Sequence, residues 1–566
     1  MLDVILRNGT VLDGTGAPAL QRDVGIRGSR IVALGSVTES ATRVIDCDGL
    51  VVCPGFVDVH THYDAQVLWD PLATPSPLHG VTTVFGGNCG FTIAPLGDGD
   101  VDYVMEMMAR VEGMPLASLK AGPGWEWRSF GEWLDQLEGC LGINAGFLVG
   151  HSTIRRVAMG TDAVGGTATP AQLEHMVRLV RESCAAGALG FSSSLGEAHT
   201  DGDGNPVPSR ASSHAELLAL AASIRDFEGT TLEFIAAMGE IPQDRIELMT
   251  AMSRAANRPL NWNLLGSLSP TPVFEQQLRS CDHAAAHGAR VVALALPDLM
   301  RMRAHRVIQD MPGWREVAAL PPDQRRHAAA DAATRQRLHD GAREISARGM
   351  AAYANFDLLE VADSTDPTVI GRTVGELARS RGIDPIDVLI DEVLVPQAPL
   401  QMVFPSLDPT LGTTPQGWEV RKSVWNDPRV VLGGSDAGAH TDLLCHANYP
   451  TVVLSEMVRD RGIFTMEQAV HKMTEVPAQL YGLRQRGRIE EGWFADVVVF
   501  DPATLASGPA RARYDLPAGG ERLYAEADGY HHVFVNGCEI VRDDVLTGAL
   551  GGTLLRAGRD TYTVTP

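Results

Sequence analysis

Two histidines one residue apart, His60 and His62, are the first side chains in this sequence that invite a chemical reading. In an extended segment residues i and i+2 point the same way, so both imidazoles can face one ion, and neutral imidazole nitrogen suits zinc. The pair ends an apolar run and is followed by Tyr63-Asp64, which is more telling than an isolated His-X-His. Other reactive groups also fall directly after apolar runs. Cys89 stands in Gly86-Gly87-Asn88-Cys89-Gly90, where the backbone can approach a ligand closely; it reads either as a zinc-binding thiolate or as a buried thiol in a tight turn. His151, in Gly150-His151-Ser152, can contact substrate, stabilise a developing oxyanion or bind a second ion; equally, it can anchor its own strand. Asp436, after Gly433-Gly434-Ser435, can bind metal, take a proton from an activated water and pass it to a leaving amine, or it can merely cap a helix. The catalytic candidates are Asp436 and His151, and the metal candidates are His60, His62, Cys89, Glu233 and Asp436. His199, His440 and His446 lie in loops that can reach the same place, and each alone reads as ordinary.

These groups act together only if a scaffold gathers the ends of separate strands. Eight short β-branched runs recur: Phe56–Val59, Thr82–Phe85, Ala145–Val149, Leu189–Ser192, Thr230–Ile235, Leu260–Leu264, Arg290–Leu294 and Val430–Leu432. Helical stretches such as Ala171–Ala186, Ser213–Phe227 and Pro272–His287 lie between several of them. Strand–helix alternation repeated eight times predicts an α/β fold, a (β/α)₈ TIM-like barrel, with reactive residues after the strands' C-terminal ends. The gap at 297–428 is longer than an ordinary βα connection; rich in Ala and Arg, it reads as a helical insertion over the barrel mouth, serving as a lid or as extra packing. Residues 1–55 and 483–566 are strand-rich, with turns at Asn8-Gly9, Gly28-Ser29 and Asn536-Gly537, and are expected to join into a small β-sandwich around a barrel of 56–482.

Composition narrows the partners. A chain of 566 residues exceeds one compact core, and its 45% hydrophobic and 21% charged content is that of a folding chain. A formal net charge of -23 argues against nucleic acid, which needs clustered Lys and Arg. The N-terminus has no basic segment leading into a long apolar one, and no run of about 18 apolar residues occurs, so neither a leader nor a membrane partner is expected. Eight scattered cysteines without a CxxC pair fit a reducing cytoplasm. A homo-oligomer is compatible with all of this.

The segments GFVDVHTHYD, GNCGFTIAPL, LVGHSTIR, GALGFSSSL, GGSDAGAH, AVHKMTEVPAQLYGL and RGRIEEGWFADVVVFDP resemble the amidohydrolase superfamily, and more closely its D-aminoacylase (N-acyl-D-amino-acid deacylase) branch. HTH is common to the superfamily, whereas GNCG followed by LVGHS is more specific to the branch. The resemblance spans nearly the whole chain and implies a barrel with a small β-sandwich, hydrolysing an amide by zinc-activated water. It implies His60 and His62 as ligands, Cys89 as the branch's unusual cysteine ligand and Asp436 as the metal-bound general base. Two strands depart from the branch, which carries histidine ligands on its fifth and sixth strands in motifs like THMR and SHHK. Here those strands read Thr231-Leu232-Glu233-Phe234 and Asn261-Trp262-Asn263-Leu264. Glu233 can bind metal through oxygen or pair, buried, with an arginine; Asn261 or Asn263 can hydrogen-bond substrate. After GFSSSL the branch's substrate-holding tyrosines are replaced by Gly196-Glu197-Ala198-His199, so D-specificity does not follow from the motifs. The expectation is a metal-dependent hydrolase of linear, non-peptide C–N amide bonds, deacylase-like, with one or two divalent ions, zinc first, acting on a small amide. Its rivals are a mononuclear hydrolase of a cyclic amide or lactone and a non-catalytic scaffold.

Overall fold

A computed structural model of the protein describes residues 1–266, 273–309, 311–347, 356–396, 401–404 and 411–566. Eight parallel strands form its centre: β1 (Phe56–Asp58), β2 (Val81–Gly86), β3 (Asn144–Phe147, resuming at Val149–Gly150), β4 (Gly190–Ser194), β5 (Thr231–Ile235), β6 (Leu260–Trp262), β7 (Val291–Ala295) and β8 (Val430–Leu432). Each overlaps one of the eight apolar runs. Strands β1, β2 and the first part of β3 form one sheet, and the second part of β3 through β8 forms another. Every pairing is parallel. Strands such as β2, β4, β5 and β7 are buried along their whole length. This is why they read as continuous runs rather than as alternation: parallel strands are covered on both faces.

Helices between the strands begin where the sequence satisfies their first amides. Pro170–Ala185 starts at Thr169, whose hydroxyl accepts from the Gln172 amide at 3.3 Å while the Gln172 side chain accepts from the Thr169 amide at 2.8 Å. The next ones are His214–Ser223, Gln243–Ala256 and Phe274–Ala286. The expected helix from Pro272 begins outside the described residues; its described part starts at Phe274.

Both chain ends build one nine-stranded sheet. Val51–Pro54 lies antiparallel to Val497–Phe500, joining the N-terminal strands to those of 530–546. Asp496 fastens this sheet to β3: it accepts from Asn144 Nδ2 at 3.1 Å and the Asn536 amide at 2.8 Å, and pairs with Arg486.

The 297–428 segment, parts of which lie outside the described residues, is not helical alone. Met300–Arg303, Glu360–Asp363 and Gln401–Phe404 form an antiparallel three-stranded sheet beside helices such as Pro322–Ala330 and Val374–Arg381. The helical expectation missed it because each strand is only four residues long and carries polar side chains, so neither length nor period marks it. The segment has its own core, including Met302, Trp314, Leu338, Leu377 and Leu389, and this core takes in Leu444 from the loop after β8.

Candidate active site

The ends of β1, β2 and β8 meet at one place. Beyond β1 and β8 the backbone continues in register: the Asp436 amide donates to the His60 carbonyl at 3.1 Å and the His62 amide to the Ala437 carbonyl at 2.7 Å. The Asp58 carboxylate clasps both segments, accepting from the His60 and Ser435 amides at 3.3 and 3.4 Å and from the Ser435 hydroxyl. Gly438 makes the close approach possible; its φ is +92°, and a Cβ there would lie 2.6 Å from the His62 carbonyl oxygen. After β2 the chain turns at Gly87, where a Cβ would come within 2.1 Å of the Leu148 carbonyl oxygen. Asn88 Nδ2 then donates to the Phe85 and Thr61 carbonyls at 2.9 and 3.2 Å, holding the Cys89 turn against the histidine segment.

The reactive atoms consequently converge. Cys89 Sγ lies 3.4 Å from His60 Nε2 and 3.9 Å from His62 Nε2. Asp436 Oδ1 lies 3.5 Å from His60 Nε2 and 3.1 Å from His62 Nε2. Cys89 and Asp436 both hold left-handed backbone, at φ 56° and 58°. Such conformations cost about 1–3 kcal/mol each in a non-glycine residue and gather at functional sites.

Sequence reasoning did not single out two further acids. Glu112, at the end of the helix Val101–Val111, is buried with Oε2 3.4 Å from His62 Nε2. Asp64 is buried and accepts from the Gly87 amide at 3.1 Å. No spacing signal marks Glu112, since it ends a helix far from the histidines in sequence; Asp64 stood in the histidine motif itself, where its type and position could have flagged it.

Burial governs the electrostatics. It pushes Asp64 up to about 7, against the Gly87 amide, and Asp58 up to about 6, against the Ser435 and His60 bonds. Glu112 is raised well above the usual carboxylate range by burial and then by Asp436, Asp64 and Glu233. Cys89 is raised by burial and by the same surrounding acids. At Asp436 burial acts upward too, but the hydrogen bonds of His60 and His62 and the charges of His62 and His440 outweigh it and hold the group well below its ordinary value.

Glu233 sits one step behind this cluster. Oε2 accepts from the Cys89 amide at 2.8 Å, and Oε1 is engaged by Asn263 Nδ2, which also lies 2.9 Å from His60 Nδ1. Among the described residues it has no arginine partner, and burial pushes it up to about 8. His151 is elsewhere: Nδ1 pairs with Ser193 Oγ at 2.8 Å and Nε2 with Glu216 Oε1 at 2.9 Å, and Glu216 also accepts from Arg155 at 2.5 Å. Of the loop histidines, His440 comes within 3.6 Å of Asp436 Oδ2 and His199 bonds Ser194 Oγ at 2.8 Å. His446 lines, with Asp436, Tyr63 and Gln66, a cavity of about 30 Å³.

Two groups of donors can hold a cation: His60, His62 and Cys89, and His62, Glu112 and Asp436; within each, the donor atoms lie within 4.8 Å of one another. The residues fit a divalent metal on charge as well as on type. Three buried carboxylates, the half-buried Asp436 and a thiol surround two imidazoles, and among the described residues no Lys or Arg pairs with Asp64, Glu112, Glu233 or Asp436. Burying uncompensated acids is costly, and a bound cation is the largest local charge that can offset it.

An α/β protein with parallel strands whose ends present His-X-His, a cysteine and an aspartate to one point is of the metal-dependent hydrolase class. Residues 43–541 match the amidohydrolase family, and the chain belongs to that family. It is 28% identical to D-aminoacylase of Alcaligenes xylosoxydans xylosoxydans over 558 residues, 98% of this chain and 97% of that one. A solved structure of D-aminoacylase, from work on its binuclear metal centre, superposes with a TM-score of 0.65 at 27% identity, covering 98% of this chain and all of the other. The fold is also that of N-acyl-D-glutamate deacylase from Bordetella bronchiseptica, solved with zinc and a phosphonate inhibitor, at TM-score 0.66, 24% identity and coverage of 98% and 100%.

Proposed function

We propose that the protein is a metal-dependent amidohydrolase that cleaves the linear amide of an N-acyl amino acid or a closely related small molecule. The observation that carries the reading is the convergence of His60, His62, Cys89 and Asp436 from three separate strand ends. The eight parallel strands are read as one closed barrel, supported by the hydrogen bonds between the segments after β1 and β8. The terminal sheet is read as a separate β-sandwich domain, and the 297–428 insertion as a cover that leans on the Asp436 loop through Arg303 and Leu443, bonded at 2.8 Å. Eight unpaired cysteines support a cytoplasmic setting.

His60, His62, Cys89 and Asp436 would hold the metal, zinc being favoured by the thiolate and imidazole donors. When bound, a divalent ion acidifies water and polarises the amide carbonyl. Asp436 uses Oδ1 toward the histidines, leaving Oδ2 beside His440 to accept the proton from water and return it to the leaving nitrogen. Glu233 and Asn263 set the tautomer of His60. A half-turn of the Asn263 amide lets its oxygen accept both from His60 Nδ1–H and from a protonated Glu233, which leaves a lone pair on His60 Nε2. Glu233 therefore serves as a positioning group and not as a ligand. His151, with both nitrogens engaged, ties β4 to the Glu216–Arg155 pair.

Turnover of a panel of N-acyl-D- and N-acyl-L-amino acids, with metal analysis of the same preparation, tests the proposal. Hydrolysis of at least one acyl amino acid by metal-loaded protein is expected; no turnover of any of them would remove the deacylase reading.

A further inference from the structure

We propose that Glu112 is a metal ligand, and that His62, Glu112 and Asp436 hold a divalent cation beside the one at His60 and Cys89. The inference rests on the metal-hydrolase reading above and adds a residue and a second site to it. Glu112 is built into place. Its amide bonds the Met108 carbonyl at 2.9 Å, ending the helix, and its own carbonyl accepts from the His440 amide. The following Gly113, at φ +58°, packs so closely that a Cβ would lie 3.1 Å from His440 Cα. The main chain of Glu112 is thereby clamped to the loop that carries Asp436.

Its side chain is 4% exposed, and among the described residues its one ion-pair partner is His62. No arginine, lysine or backbone amide donates to it there. A carboxylate fixed in this way, next to Asp436 and Asp64, needs a cation that the chain does not provide.

Ligand arithmetic assigns the cation its donors. An imidazole nitrogen has one lone pair, so His62 Nε2 can serve a single ion. It lies 3.9 Å from Cys89 Sγ but 3.1 Å from Asp436 Oδ1 and 3.4 Å from Glu112 Oε2, so once a second ion is bound beside the first it belongs with the carboxylates. His60 Nε2 is nearer the sulfur, at 3.4 Å. Asp436 Oδ1, within 3.5 Å of both histidines, can serve both ions. On β5 and directly after β6, Glu233 and Asn263 are occupied with each other, with His60 and with the Cys89 amide, and cannot complete a second site. Glu112 supplies the missing donor from the His62 side. One imidazole with carboxylate oxygens is a harder donor set than one containing thiolate, so this site takes the harder of two divalent ions offered together.

Cobalt(II) titration of the full-length apoprotein tests the proposal. The wild type is expected to take up two equivalents, of which one develops a thiolate-to-cobalt charge-transfer band. Glu112→Gln is expected to keep that band and lose the other equivalent, or to bind it more weakly than the roughly 10–100-fold that loss of an outer-shell partner costs. Glu112→Asp, which keeps a carboxylate, should restore part of the affinity and gives the same readout should the amide variant fail to fold. Unchanged stoichiometry and affinity in Glu112→Gln, or in Glu112→Asp where only that variant folds, would overturn the assignment while leaving the hydrolase reading in place. So would a wild type that binds one thiolate-linked equivalent only. A wild type that binds no cobalt would overturn the hydrolase reading and this inference with it.

Discussion

Replacing Glu216 by Gln separates two roles that the sequence left open for His151. The Glu216 carboxylate is 4% exposed and receives both His151 Nε2 and Arg155 Nη1, whose side chains are fully buried. Burial acts to raise the Glu216 pKa, but His151 and Arg155 outweigh it and hold the group below its ordinary value, so it carries charge at neutral pH. In Glu216→Gln the shape and an acceptor remain while the charge goes. Arg155 is then left buried with the carbonyls of Gly166 and Ala163, at 2.6 and 3.5 Å. Breaking a buried pair by removing one partner costs about 3–5 kcal/mol, and the retained amide places this change near the lower end. A loss of about 3 kcal/mol is more than a hundredfold in the unfolding equilibrium. Urea unfolding followed by circular dichroism should show the first transition moving to lower denaturant. Turnover measured well below that transition should stay clear of the 10²–10⁴-fold losses that follow removal of a general acid–base group. A fall in kcat of that size with an unmoved unfolding midpoint would refute the structural role and return His151 to the reaction.

Asp436→Asn should lower kcat by about 10²–10⁴-fold with an unchanged circular-dichroism spectrum, because the amide keeps the hydrogen bonds but cannot take a proton. Gly438→Ala should cost about 1 kcal/mol or more from its φ of +92° and lower activity as well, since the added Cβ pushes the Asp436 loop off the His62 carbonyl; thermal melting and turnover check both. His79, buried and bonded to Thr451 Oγ1 at 2.7 Å and the Ala525 carbonyl at 3.1 Å, is held down at about 4 by burial. Its folded value lies below its unfolded one, so the unfolded chain takes the proton first as pH falls. Stability is full above about 6.5 and declines toward 4 by about 3 kcal/mol. Urea unfolding repeated across that pH range should show a shallower slope for His79→Gln than for the wild type; an equal slope would mean that other groups set it.

The fold was largely legible because buried parallel strands leave a signal of their own. Val430–Leu432 and Val291–Ala295 read as uninterrupted apolar runs, since both faces are covered. Of the candidate site, His60, His62, Cys89 and Asp436 could be found because each follows such a run. Glu112 could not: it ends a helix, and only the clamp between residues 112–113 and His440 brings it to His62. The surroundings of His151 were equally hidden, because Glu216 and Arg155 lie on helices 61 residues apart in sequence. Glu233 was legible as an oddity on its strand, but its satisfaction by Asn263 and the Cys89 amide is a matter of three dimensions. The three-stranded sheet of the insertion escaped for a different reason, its strands being too short and polar to carry a period.

The most direct test of the account is anomalous diffraction at the zinc edge from crystals of the zinc-loaded protein. An anomalous peak is expected that is bounded by His60 Nε2, His62 Nε2, Cys89 Sγ and the Asp436 carboxylate, with Glu233 and His151 outside its coordination sphere. Zinc-loaded crystals with no peak among those four side chains, or with the peak at Glu233 in place of Cys89 and Asp436, would contradict it.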